Sequence, residues 1–122
     1  HHQDSFYWRL EPERGCNCWI PMIDVGKDAI ALAVLPGSQA GWELTDHESY
    51  YDDPPMGHGR DEFKPFKRHR IRAESVDTAN ELLIPLHAGD GLFFTNFTWH
   101  RSEPNRTGQD MAFYAIAYNL IP

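Results

Sequence analysis

Three side chains with metal-binding chemistry stand at opposite ends of this chain. His2 and Asp4 lie at the start, in His2-Gln3-Asp4, and His100 lies near the far end, in Trp99-His100-Arg101-Ser102. Two imidazoles and a carboxylate are the ligand set of a facial triad, which grips Fe(II) on one side and leaves the other positions open for a co-substrate and O₂. In an extended segment residues i and i+2 share a face. His2 and Asp4 can therefore aim at one ion while Gln3 points elsewhere, and His100 has to arrive from a distant strand. Such donors suit Fe(II), Mn(II) or Zn(II) better than a thiolate metal. A histidine two residues from an aspartate is a weak signal in a chain with seven histidines. His1 and His2 also read as a tag remnant or a solvated terminus.

The surrounding residues narrow that choice. His2-Gln3-Asp4 runs into Ser5-Phe6-Tyr7-Trp8, and a tryptophan-bearing segment follows, Cys18-Trp19-Ile20-Pro21-Met22-Ile23-Asp24. An apolar stretch over residues 29–35 ends in Pro36-Gly37-Ser38-Gln39. Gly89-Asp90 precede Gly91-Leu92-Phe93-Phe94, and His100-Arg101-Ser102 leads to Asn105. In this order the landmarks resemble the phytanoyl-CoA dioxygenase family of Fe(II)- and 2-oxoglutarate-dependent oxygenases, over most of the chain except residues 41–70.

That resemblance implies Fe(II) held by His2, Asp4 and His100. It implies 2-oxoglutarate contacted by Gln3 and Ser102 in a pocket lined by Trp19. It also implies a reaction in which O₂ is consumed, 2-oxoglutarate is converted to succinate and CO₂, and a small organic substrate is hydroxylated. The family places an arginine after the distal histidine to clamp the far carboxylate of 2-oxoglutarate, and at that position this chain has Met111. A guanidinium binds carboxylate through a planar fork, whereas a thioether has no charge and is only a weak acceptor. Losing such a pair costs about 2–5 kcal/mol. A substitute cation, with Arg72 and Arg106 as candidates, a different co-substrate, or a catalytically degraded protein would each account for it. The substitute cation is favoured, because the three metal ligands are intact.

The chain has 122 residues, 41% hydrophobic and 13% aromatic, which gives at most one domain with a real core. Its formal charge of −7 argues against nucleic acid, whose phosphates call for clustered Lys and Arg. The one basic run, over residues 64–72, reads as a solvated loop entering a strand, or as a surface steering an anionic substrate. Cys16 and Cys18 are one residue apart and poorly placed to pair, so reduced thiols in a reducing compartment are expected. No apolar run reaches the length of a membrane span and no signal-peptide pattern is present. A cytoplasmic protein is the expectation.

Positioning the triad falls to an all-β chain. Strands are expected over residues 3–10, 16–25, 30–35, 69–73, 82–86, 91–97 and 112–120, with turns at Pro36-Gly37-Ser38, Ala88-Gly89-Asp90 and Thr107-Gly108. On the last strand both faces look partly covered. The resemblance makes this a single double-stranded β-helix, a jelly-roll or cupin-like barrel spanning residues 1–122. Residues 41–70 form a long irregular insertion that serves as a lid or as a plain surface loop, and His47 and His58 there read as exposed loop residues. In the family, further strands and helices precede the barrel, so the chain is expected to be the C-terminal portion of a longer protein, with its last strand an open edge. A cupin-like isomerase or metal-binding protein shares the barrel, but cupins resemble one another by a closely spaced pair of histidines and a trailing glutamate that are lacking here. A non-catalytic β-sandwich with structural histidines remains the other alternative.

Overall fold

Short runs of β-branched and aromatic residues, cut by glycine and proline, allow only brief strands here. The structure is a computed structural model, and it describes residues 1–8, 14–51 and 67–121. Eight strands occur among these residues: β1 (Gly15–Pro21), β2 (Leu32–Val34), β3 (His47–Tyr51), β4 (Lys67–Ile71), β5 (Leu82–Ile84), β6 (Leu92–Thr95), β7 (His100–Ser102) and β8 (Phe113–Asn119). Single 3-10 turns cover Asp4–Phe6, Ala73–Ser75 and Thr78–Asn80.

All strand pairs are antiparallel. One sheet has the order β6-β1-β8, a second has β5-β2-β7, and β3 pairs with β4. In the first, Trp19 lies opposite Leu92 on one side and Ala115 on the other. In the second, Leu32 lies opposite Ile84 and Ser102, and Val34 opposite His100. Side chains of both sheets meet in one core of Trp19, Val25, Ala31 and Leu32, with Leu83, Leu86, Leu92, Phe94 and Met111 packed around it. This is the double-stranded β-helix the sequence pattern calls for.

The turn at Pro36-Gly37-Ser38 has a mechanical role. Gly37 sits at φ +84°, a backbone region open to glycine without penalty. That turn lets the Ser38 hydroxyl donate to Leu35 O at 2.6 Å and accept from Trp99 N at 2.9 Å. Leu35 N donates to Trp99 O at 2.9 Å, so β2 and the start of β7 are tied together just before His100.

Several expectations need correction. Residues 3–8 of the strand expected over 3–10 are not extended throughout: His2 just before them makes a bridge to His100, and Asp4–Phe6 turn as a 3-10 helix closed by Phe6 N to Gln3 O and Tyr7 N to Asp4 O, while residues 9 and 10 lie outside the described residues. Ser5 N is drawn to Asn96 O at 3.0 Å, which bends the chain out of line. Within residues 41–70, the irregular reading gives way to β3 and most of β4, pinned by Arg70 Nε on Glu48 Oε1 at 2.8 Å and Arg70 over the Tyr50 ring. Residues 67–71 of the basic run form the paired strand β4, while residues 64–66, His58 and the prolines at 54, 55 and 65 lie outside the described residues. The last strand is not covered on both faces. Among the described residues β8 pairs with β1 alone, and every residue in it except Ile116 is exposed. Cys16 and Cys18 are both free thiols, and no helix among the described residues is long and apolar enough to cross a membrane.

Leu32 is 4% exposed at the meeting point of the sheets. Leu32→Ala is expected to destabilise the chain by about 2–5 kcal/mol, read as a lower midpoint in urea unfolding; a change within about 0.5 kcal/mol would show that the two sheets do not share this core.

Candidate functional site

His2, Asp4 and His100 converge. Their donor atoms all lie within 4.8 Å of one another, with Asp4 Oδ1 3.3 Å from His2 Nε2 and 3.6 Å from His100 Nε2. Donors at about 2.1 Å from one metal, at right angles, sit roughly 3 Å apart, so the set needs only a small contraction to close on an ion. The convergence has a backbone cause. His2 N donates to His100 O at 2.9 Å and His100 N to His2 O at 3.1 Å, so the two residues face each other as an antiparallel pair. Gln3 between them and Asp4 is extended, at φ −113° and ψ 133°. That conformation returns the Asp4 side chain to the His2 side, as the two-residue spacing requires.

The ligand atoms are oriented by a surrounding shell. His100 Nδ1–H donates to Thr98 O at 2.9 Å, which leaves Nε2 as the free lone pair facing the centre. Burial pushes the His100 imidazole down to about 4, with His2 acting in the same direction and Asp4 opposing. The ring is therefore neutral near pH 7, the state a metal needs. Asp4 Oδ2 accepts a hydrogen bond from Asn17 Nδ2, which turns Oδ1 toward the two imidazoles. Phe94 packs against His100 at 4.7 Å between ring centroids.

Gln3 has a different job from the one the resemblance implies. It is fully buried, and its amide is consumed by the protein: Nε2 donates to Glu43 O and Phe97 O, and Oε1 accepts from Thr45 N. It is absent from the described cavity wall. With its donors and acceptor committed to backbone, Gln3 is a strut that anchors the ligand-bearing turn to residues 43–45 and 97.

His47 is likewise not a solvated loop residue. Its Nδ1–H donates to Thr45 O at 2.7 Å, its Nε2 accepts from Gln3 N at 3.0 Å, and its ring stacks on Phe6 at 4.4 Å. Burial shifts its imidazole downward. It holds the backbone between the two N-terminal ligands without touching the centre.

The triad opens on a cavity of about 400 Å³ whose wall includes Asn17, Trp19, Leu32, Phe94, Ser102 and Phe113. Trp19 and Ser102 line this cavity together with His2, Asp4 and His100. Met111 is not among the residues lining it; its side chain packs against the core cluster of Trp19, Val25, Ala31 and Leu32, with the Thr107 hydroxyl directed at its sulfur at 3.8 Å. Neither proposed substitute cation reaches the cavity. Arg106 is exposed and pairs with Asp28 at 3.2 Å, and Arg72 is an exposed residue leading into the turn at Ala73–Ser75. Arg101 is held by Glu81 and Glu103. Among the described residues, no Lys or Arg lines the wall.

Residues 1–112 match the family model described as phytanoyl-CoA dioxygenase (PhyH). The chain belongs to the phytanoyl-CoA dioxygenase family. Enzymes of this family depend on Fe(II) and 2-oxoglutarate, and His2, Asp4 and His100 form a group that could hold a metal ion. A curated relative, a methylphosphonate hydroxylase from Gimesia maris, is 35% identical over 51 residues, covering 42% of this chain and 20% of that protein. Among solved structures, EvdO2 from Micromonospora carbonacea var. aurantiaca superimposes with a TM-score of 0.71 at 23% identity. In its complex with 2-oxoglutarate the score is 0.68 at 22% identity. Both alignments cover 96% of this chain and 43% of the EvdO2 chain, so the likeness to them is one of fold. Family membership separates this barrel from the cupin-like and plain β-sandwich alternatives.

Sequence reasoning overlooked Asn17 and Thr98 and read His47 as an exposed loop residue. Asn17 had a usable signal, since it stands two residues before Trp19 on a strand and so shares its face. His47 and Thr98 act on backbone groups brought near only by folding.

The lowered His100 pKa has a consequence for the metal-free chain. Above the ordinary value near 6.5 the ring is neutral folded and unfolded alike, and its burial carries no proton penalty. As pH falls from about 6.5 toward 4, the unfolded chain takes up the proton first and the folded state loses stability. The unfolding midpoint is expected to drop through that window, with a shallower drop in His100→Gln. Equal slopes in the two proteins would assign the acid sensitivity to other groups.

Proposed function

We propose that this chain carries the metal-bearing barrel of an Fe(II)- and 2-oxoglutarate-dependent dioxygenase that hydroxylates a small organic substrate. The observation carrying the proposal is the approach of His2, Asp4 and His100 at the mouth of a cavity large enough for a co-substrate and part of a substrate. The donor set fits the metal: two imidazole nitrogens and one carboxylate oxygen, all lining the cavity. When bound, Fe(II) supplies O₂ activation coupled to oxidative decarboxylation of 2-oxoglutarate.

The protein's own residues would do the rest. His2 Nε2, Asp4 Oδ1 and His100 Nε2 hold the ion, and the bond from His100 Nδ1 to Thr98 O keeps the right tautomer in place. The Ser102 hydroxyl is a hydrogen-bond donor for the co-substrate carboxylate. Trp19, Leu32, Phe94 and Phe113 give the wall an apolar surface that sheds water and accommodates the carbon frame of a small molecule. The chain spans less than half of the solved chains it matches and a fifth of the curated relative. Substrate identity therefore belongs to the whole protein.

Succinate formation that requires both Fe(II) and 2-oxoglutarate, and that falls to background in His100→Ala, is the expected result. Undiminished turnover in that variant would remove the assignment of this residue and with it the reading. A catalytically degraded member would give no succinate in the parent protein either.

Met111 bears on the strength of co-substrate binding. It packs against the core cluster to which the cavity-lining residues Trp19 and Leu32 belong. Met111→Arg is expected to tighten 2-oxoglutarate binding at least about tenfold, a gain of about 1.4 kcal/mol, measured by calorimetry in the presence of Mn(II). Weaker or unchanged binding would mean that the far carboxylate is already clamped by another group.

A further inference from the structure

Asn17 hydrogen-bonds the carboxylate of the triad without belonging to the triad. It stands on β1 opposite Phe94 and Ala117, is 6% exposed, and lines the cavity. Its Nδ2 donates to Asp4 Oδ2. The direction of the amide follows from chemistry: an ionised carboxylate only accepts, so the nitrogen has to face it. That leaves Asn17 Oδ1 buried without a partner. Leucine has nearly the same shape and would bury no orphaned oxygen. Packing alone therefore gives no reason for asparagine at this position.

We propose that Asn17 is a positioning residue for the metal centre, holding Asp4 Oδ2 so that the carboxylate offers the ion Oδ1 alone. The inference rests on the metal site proposed above. A carboxylate free to rotate about its terminal bond can offer both oxygens to one ion, and the second would occupy a position meant for co-substrate or O₂. With Oδ2 committed to an amide on a paired strand, the remaining oxygen stays 3.3 and 3.6 Å from the two imidazole nitrogens. The register fixes the amide in turn, because β1 is bonded on both sides, to β6 and to β8. Outer groups of this kind typically alter metal affinity by about 10–100-fold when removed.

The test is Mn(II) binding by the metal-free full chain, followed by the electron paramagnetic resonance of the free ion, beside urea unfolding without metal. Asn17→Leu is expected to weaken Mn(II) binding by about 10–100-fold while leaving the unfolding midpoint unchanged or higher. Asn17→Ala, which leaves space instead of bulk, covers the case in which leucine does not fit, and should show the same loss of affinity. His100→Ala serves as the reference for a lost ligand. If the parent protein binds Mn(II), His100→Ala does not, and both Asn17 variants bind like the parent, the positioning role is overturned and the metal site stands. Loss of stability with unchanged affinity would overturn it as well, by making Asn17 merely structural. A parent protein that takes up no Mn(II) would bring down the metal site and this inference together.

Discussion

Reciprocal backbone hydrogen bonds between His2 and His100, 2.9 and 3.1 Å long, join the first residues of the chain to β7 and set the register of everything at the site. Side chains on paired extended segments alternate between faces, so a slip of one residue would present Gln3 or Arg101 where an imidazole is needed. The neighbouring bonds defend that register. Leu35 N to Trp99 O and Trp99 N to Ser38 Oγ hold the residue before His100, and Ile71 N to His1 O holds the residue before His2. A metal centre assembled from opposite ends of a chain depends on such cross-links, because loop-closure entropy works against it.

Much of the support is polar and buried. Gln3 ties the ligand-bearing turn to Glu43, Thr45 and Phe97, and His47 holds its backbone from the other side. Each of these groups would be costly to bury unpaired, and pairing them rigidifies the turn. The turn itself frees Phe6 to stack on His47 and Tyr7 to meet His2 edge-on at 6.0 Å between centroids. The aromatic residues after Asp4 thus brace the site from outside.

The cavity combines this polar rim with an apolar wall. Met111 takes part in the core, and the three arginines nearest in sequence or register are engaged with acids elsewhere or exposed. β8 brings Phe113, Ala115, Ile116 and Ala117 to the same cavity while exposing most of its residues, since it is bonded only to β1.

By itself the sequence determined the chemistry and the class of fold. The types of His2, Asp4 and His100 suggest a candidate ligand set, short apolar runs bounded by turn residues mark β1, β2, β5, β6 and β8, and Pro36-Gly37-Ser38 marks the turn that closes β2. These signals are local: residue type, alternation and glycine's tolerance of positive φ are readable from a few neighbours. Tertiary structure decided the rest. It made a 3-10 turn of Asp4–Phe6 because Asn96 O claims the amide of Ser5, and it took Gln3 out of the cavity because the backbone of residues 43–45 and 97 absorbs its amide. It also paired β3 with β4 and put Asn17 against Asp4. Those outcomes turn on partners tens of residues away, and a hydrogen bond between distant groups leaves no mark in the local pattern of either.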